Sequence, residues 1–219
     1  MPMRRTLQSA WHYNFLKMQA VLLLALGRSQ RVLPHFEQML QLRPLDRYAL
    51  ASRAHVQVQL KKSDEAIESL RQLTGAWPHE AASWFNLGYA LQQTGRHQEA
   101  ESAFRSALAL DARMDRAWYG LALVLIQLRQ FEAAAGALEE NTVLQPMSPY
   151  GWYRLAQVRL ALHQPDQALK VIAHLRQFEP RVADQWERET GLSLPAASRP
   201  AGHGRPASAV TASVVRDAA

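Results

Sequence analysis

The sequence predicts an all-α chain built as a solenoid of five consecutive helix–turn–helix units followed by a C-terminal capping helix. Two observations predict it. One period of 34 residues runs through the chain without insertion or deletion, and within each period apolar residues recur at helical spacing. Small residues stand at Ala20, Ala54, Gly88, Ala122 and Ala156, and again at Ala66, Ala100, Ala134 and Ala168, with Val32 opening that series. Large residues keep the same step at Leu16, Leu50, Trp84, Trp118, Trp152 and Trp186, and at Phe36, Leu70, Phe104, Leu138 and Ile172. Pro44, Pro78, Pro146 and Pro180 punctuate the series, with Ala112 in the one missing place.

Block 81–114 shows how one unit is built. Trp84, Leu87, Gly88 and Leu91 are spaced i, i+3, i+4, i+7, one apolar stripe of a helix. Thr94-Gly95 ends that helix, since glycine takes the positive φ a helix C-terminus uses. Ala100, Phe104 and Ala107 form the stripe of a second helix. Gly88 and Ala100 let the two backbones approach, and Trp84 and Phe104 fill the space beside them. A single hairpin of this kind cannot bury its apolar face, whereas a stack can. The five blocks are 13–46, 47–80, 81–114, 115–148 and 149–182, with residues 1–12 extending the first helix at its amino end. The first block carries Pro34, which predicts a short or late-starting second helix there. Ala183–Gly191 reads as a polar capping helix with Trp186 in register, and 192–219, rich in Pro, Ala, Ser and Gly, as a disordered tail. Arg4, Arg5 and Lys17 ahead of the apolar run Met18–Leu26 resemble a secretory signal, but Leu16, Ala20 and Leu23 keep the register of a first repeat helix. The helix reading, with a cytoplasmic protein, is the expectation; cleavage after Gly27 would instead place it in the periplasm.

These residues resemble the tetratricopeptide repeat family, whose signature is Trp, Leu, Gly and Tyr at the fourth, seventh, eighth and eleventh positions, then Ala, Phe, Ala and Pro at the twentieth, twenty-fourth, twenty-seventh and thirty-second. Trp84, Leu87, Gly88, Ala100, Phe104 and Ala107 carry the match, with Trp118, Leu121, Ala134 and Pro146, and Trp152, Leu155, Ala168 and Pro180, in the next blocks. Gln19, Arg53, Gln57, Asn141 and Arg159 depart from it. The resemblance implies a right-handed α-solenoid that binds other proteins.

It also implies which residues face a partner, because the family lines a concave groove with set positions of each first helix. Carried over, the rule gives Phe85, Asn86, Tyr89 and Gln92; Arg116, Tyr119 and Leu123; and Tyr150, Tyr153, Arg154 and Gln157. Phe85, Tyr119 and Tyr153 stand at equivalent positions, so a ladder of rings along the groove is expected. Aromatics and arginine dominate interface hot spots. The family's two-lysine clamp for a terminal carboxylate does not fit, since its positions hold Lys17/Val21, Ala51/His55 and Phe85/Tyr89.

Composition narrows the classes. No cysteine is present, which excludes disulfides and thiolate metal sites. No run of apolar residues reaches the ~18–20 that a membrane span needs. The net charge of +6 is concentrated: residues 1–60 hold eight Lys/Arg against two acids, while 61–148 hold eight against eleven. Arg28, Arg31, Arg43, Arg47 and Arg53 are dispersed over two repeats, which argues against nucleic acid. No phosphate loop, metal-binding His pair or acid dyad is found, so neither catalysis nor a cofactor is expected. The function expected is a scaffold or adaptor that holds a partner's peptide or helix. The alternative is an assembly or secretion-linked chaperone of a bacterial envelope machine.

Overall fold

The computed structural model describes residues 2–193. Among them are eleven helices and no strand: α1 Pro2–Ala25, α2 Ser29–Leu42, α3 Arg47–Gln59, α4 Ser63–Ala76, α5 Ala81–Gln93, α6 His97–Leu110, α7 Asp115–Gln127, α8 Phe131–Leu144, α9 Pro149–Ala161, α10 Pro165–Phe178 and α11 Pro180–Thr190. Each helix packs on the next in chain order, the architecture of an all-α repeat solenoid. The periodic columns are its core. Ala20, Ala54, Ala122 and Ala156 are buried, as are Val32, Ala66, Ala100, Ala134 and Ala168, and Phe36, Leu70, Phe104, Leu138 and Ile172.

Every hairpin turns through the same device. The fifteenth residue of each block, Gly27, Lys61, Gly95, Arg129 or His163, has φ between 57 and 73°. Its N–H and that of the next residue close back onto the helix, as in Gly95 N–H to Gln92 O and Arg96 N–H to Leu91 O. Between blocks a second device recurs. The indole N–H of Trp84, Trp118 and Trp152 donates to the carbonyl of Pro78, Ala112 and Pro146, at 2.8, 2.9 and 2.8 Å. In each case the acceptor lies six residues back, in the turn between blocks, so the side chain pins the entering helix to that turn.

Two helix boundaries differ from the sequence pattern. α2 is not shortened by Pro34: it spans 14 residues, as α4, α6, α8 and α10 do. The backbone bond that proline forfeits would have reached the carbonyl of Gln30, an exposed residue at the helix start, where water can replace it. α11 starts at Pro180, three residues before the position where the earlier first helices begin. The Pro180 carbonyl therefore lies inside a helix instead of in a turn. Trp186 keeps its column and is fully buried, but its indole N–H finds no acceptor. α11 is fixed instead by Arg176, which lies 2.9 Å from both Asp184 and Glu187. The left-handed Gly191 ends it, and residues 194–219, the larger part of the expected tail, lie outside the described residues.

The departures from the repeat pattern are locally compensated. Gln57 accepts from Ser69 at 2.7 Å, and Ser69 accepts from the Arg53 guanidinium at 3.0 Å, so three polar side chains share one buried site between α3 and α4. Burial there pulls the Arg53 pKa below its ordinary value. Arg159 pairs with Glu139 of α8 and donates to Gln164. Asn141 donates to the Asp115 carbonyl at 2.9 Å, and its extra bulk is met by Gly151, where a Cβ would fall 2.4 Å from the Asn141 Oδ1. Tyr13 donates to Asp46 at 2.7 Å, and Asp46 also caps α3 through the Ala49 N–H. Burial, with Asp46, raises the Tyr13 phenol far above its ordinary range.

Candidate partner-binding groove

The odd-numbered helices supply the candidate residues, which fall into two adjoining clefts and a third group outside both. The first cleft, of about 550 Å³, runs from α3 to α7, with Ala51, His55 and Val58 on one side and Phe85, Asn86, Tyr89 and Arg116 on the other. The second, of about 580 Å³, runs from α5 to α9 and gathers Phe85, Tyr89, Gln92, Arg116, Tyr119, Leu123 and Tyr150. Volumes of this order are typical of ligand-sized clefts. Phe85, Tyr89 and Arg116 line both clefts, so the two adjoin along these residues.

Tyr89 is 45% exposed and Tyr150 71%, while Phe85, Tyr119 and Leu123 are half-buried. Phe85 has its ring partner in Phe104 of its own hairpin, centroids 6.0 Å apart. Arg116 is exposed, and among the described residues no carboxylate pairs with it. An unpaired guanidinium between tyrosines offers a charged anchor to a partner's acceptor groups.

Tyr153, Arg154 and Gln157 line neither cleft. Tyr153 is half-buried against the second core cluster and donates to Glu189 of α11. That bond holds the Glu189 carboxyl below its ordinary range, while burial foremost, with Glu189, raises the Tyr153 phenol. Arg154 donates to Gln157 one helical turn on, at 2.9 Å. The cap thus occupies one of the three residues, and the other two satisfy each other.

Phe104, Asn141, Gln145 and Ser148 also line the second cleft, although the sequence pattern assigned Phe104 to the core and Asn141 to a departure from the repeat, and marked neither Gln145 nor Ser148. Phe104 belongs to a core column, and its ring reaches the cleft because Gly120 stands over it. A Cβ on Gly120 would lie 2.6 Å from the Phe104 Cζ, and one on Gly88 would lie 2.9 Å from its Cδ1. The sequence signal was available: Gly120 is the one glycine at a groove position where the other blocks hold Met18, Ser52, Asn86 and Arg154.

With this geometry established, comparison with known proteins decides the family. Residues 52–115 and 91–150 each match a family model described as tetratricopeptide repeat. Residues 52–150 belong to the tetratricopeptide repeat family. Several solved structures resemble the chain over most of their length. MamA superposes with a TM-score of 0.73 at 18% identity, covering 84% of this chain and 98% of MamA. YrrB, described as a TPR protein with an unusual peptide-binding site, gives 0.70 at 17% identity, covering 81% and 90%. PilF of Pseudomonas aeruginosa gives 0.62 at 18% identity, covering 84% and 88%. At these identities the likeness shows the fold alone. No curated protein matches the sequence. Tetratricopeptide repeats serve generally as protein-interaction scaffolds.

Proposed function

We propose that this chain is a non-enzymatic adaptor that binds a peptide or helix of a partner protein along the groove from α3 to α9. The observation that carries the reading is that two clefts, together reaching from α3 to α9, adjoin along Phe85, Tyr89 and Arg116. A bound segment would set apolar side chains against Phe85, Tyr119 and Leu123. Tyr89 and Tyr150 would close over it, and Arg116 would take a carboxylate or carbonyl. YrrB, of the same fold, is described as having a peptide-binding site, which supports the class of ligand. The cap contact of Tyr153 moves the proposed centre away from the last hairpin, toward α5 and α7.

The test uses three substitutions of exposed side chains, Tyr89→Ala, Arg116→Ala and Tyr150→Ala, combined in one chain. Photo-crosslinkers placed at Gln92 and, as a control, at Val143 on the exposed edge report what occupies the groove. The groove position should capture a defined partner that the control does not, and the triple variant should lose it about tenfold or more at unchanged helical content. Equal capture by the triple variant would refute the assignment.

A further inference from the structure

α1 carries a second apolar face that none of the described helices covers. Its inner face is Tyr13, Leu16 and Ala20, all buried. On the opposite side, one stripe at helical spacing runs through Trp11, Phe15, Met18, Leu22 and Leu26. Trp11 is 69% and Leu22 60% exposed, and the Trp11 and Phe15 rings lie stacked, 5.6 Å apart and within 6° of parallel. The repeat register shows what such a face ordinarily does. The columns of Phe15 and Leu22 hold Ala49, Ser83, Ala117 and Gly151, and Val56, Ala90, Val124 and Val158, in the later hairpins, all buried. Gly151 meets Asn141 of the preceding helix, so these columns face the preceding hairpin. In α1 they hold larger apolar groups than most of those counterparts and face outward. A helix apolar on both sides belongs under a cover.

Charge selects the cover. The first 36 residues contain Arg4, Arg5, Lys17, Arg28 and Arg31 and no acid; Glu37 is the first. A second copy seated on this face would set like charges against each other. An anionic phospholipid surface supplies the opposite charge, at roughly fivefold in affinity per Lys or Arg near it. Trp, Phe, Met and Leu are the side chains that settle at the headgroup–acyl boundary. No helix among the described residues is long and apolar enough to cross a membrane, so α1 would lie in the interface plane instead of spanning it. We propose that α1 docks this chain on anionic membrane surfaces, with Trp11, Phe15, Met18 and Leu22 inserted and the arginines of its ends at the headgroups.

Flotation of the full chain with vesicles tests this directly. Vesicles of phosphatidylcholine alone are compared with vesicles containing roughly one-third phosphatidylglycerol. The chain should float with the anionic vesicles at least about a hundredfold more strongly than with the neutral ones, and binding should fall as salt rises. Trp11→Asp with Leu22→Asp should abolish flotation while the helical signal and thermal midpoint stay at wild-type values. Arg4→Gln with Arg5→Gln should lower anionic-vesicle binding about fivefold per arginine and leave neutral-vesicle binding unchanged. Absence of flotation at low salt, equal binding to both lipids, or an arginine variant that floats like wild type each overturns the proposal. So does a dimer in sedimentation that Trp11→Asp with Leu22→Asp makes monomeric, which would assign the face to a second copy. The groove variant at Tyr89, Arg116 and Tyr150 should float unchanged, which keeps this result separate from the groove reading.

Discussion

Lys61, Arg129 and His163 hold the left-handed conformation that Gly27 and Gly95 hold in the equivalent turns. An L side chain in that region costs about 1 kcal/mol or more, and a Cβ on Gly95 would meet nothing within 4 Å, so any effect there is conformational. Gly95→Ala is therefore expected to destabilise the chain by about 1 kcal/mol, and Arg129→Gly to stabilise it by a few tenths to about 1 kcal/mol. Urea unfolding measures both, as shifts in midpoint at constant slope. A Gly95→Ala chain as stable as wild type would show that the turn relaxes out of the left-handed region. The sequence marked Gly95 as a helix stop because glycine announces positive φ. It could not mark Arg129 or His163, since their conformation is imposed by the packing of the two helices on either side.

At the scale of the helix pair, α8 and α9 meet through Asn141 and Gly151. Gly151→Ala should cost about 1–3 kcal/mol, because its Cβ has no room beside the Asn141 carboxamide. Asn141→Ala alone should cost about 1 kcal/mol through its bond to the Asp115 carbonyl. The double variant should recover most of the Gly151→Ala loss, and the coupling in the cycle is the decisive measurement. Additive losses would mean the two sites are independent. The same pair shows where sequence reading reached its limit. Asn141 was visible as a departure from the repeat pattern, but its compensation sits ten residues away on another helix. The Gln57–Ser69–Arg53 site is similar, since a buried polar cluster is legible only once α3 and α4 are set side by side. The residues named on α5 and α7, and Tyr150 of α9, line the two clefts. Tyr153 of α9 does not, because the early start of α11 and the Tyr153–Glu189 bond depend on the end of the array.

Across the whole molecule, the two ends of the described solenoid are unlike. One is closed by α11 with Trp186 buried beneath it; the other leaves the outer columns of α1 uncovered. Each hairpin is stabilised mainly by its neighbours, so the hairpin with a neighbour on one side alone is the least protected. The first also lacks the indole bond and one backbone bond at Pro34. Hydrogen exchange should release amides of α1 and α2 first and those of α5 to α8 last. Equal protection along the chain would show a single cooperative unit.

The indole-to-carbonyl bonds at Pro78, Ala112 and Pro146 also give the array a mechanical character. Stretched from its ends, the solenoid resembles a spring whose turns at Pro78, Ala112 and Pro146 are each pinned by an indole six residues on, whereas the turn before α3 is tied by Tyr13 to Asp46 and by Trp77 to Leu45. Tension is the same all along a chain pulled from its ends, and what differs is how far each turn gives. Phe85 to Tyr150 ride on the indole-pinned segment, where the turns repeat one geometry and the spacing between these side chains changes least.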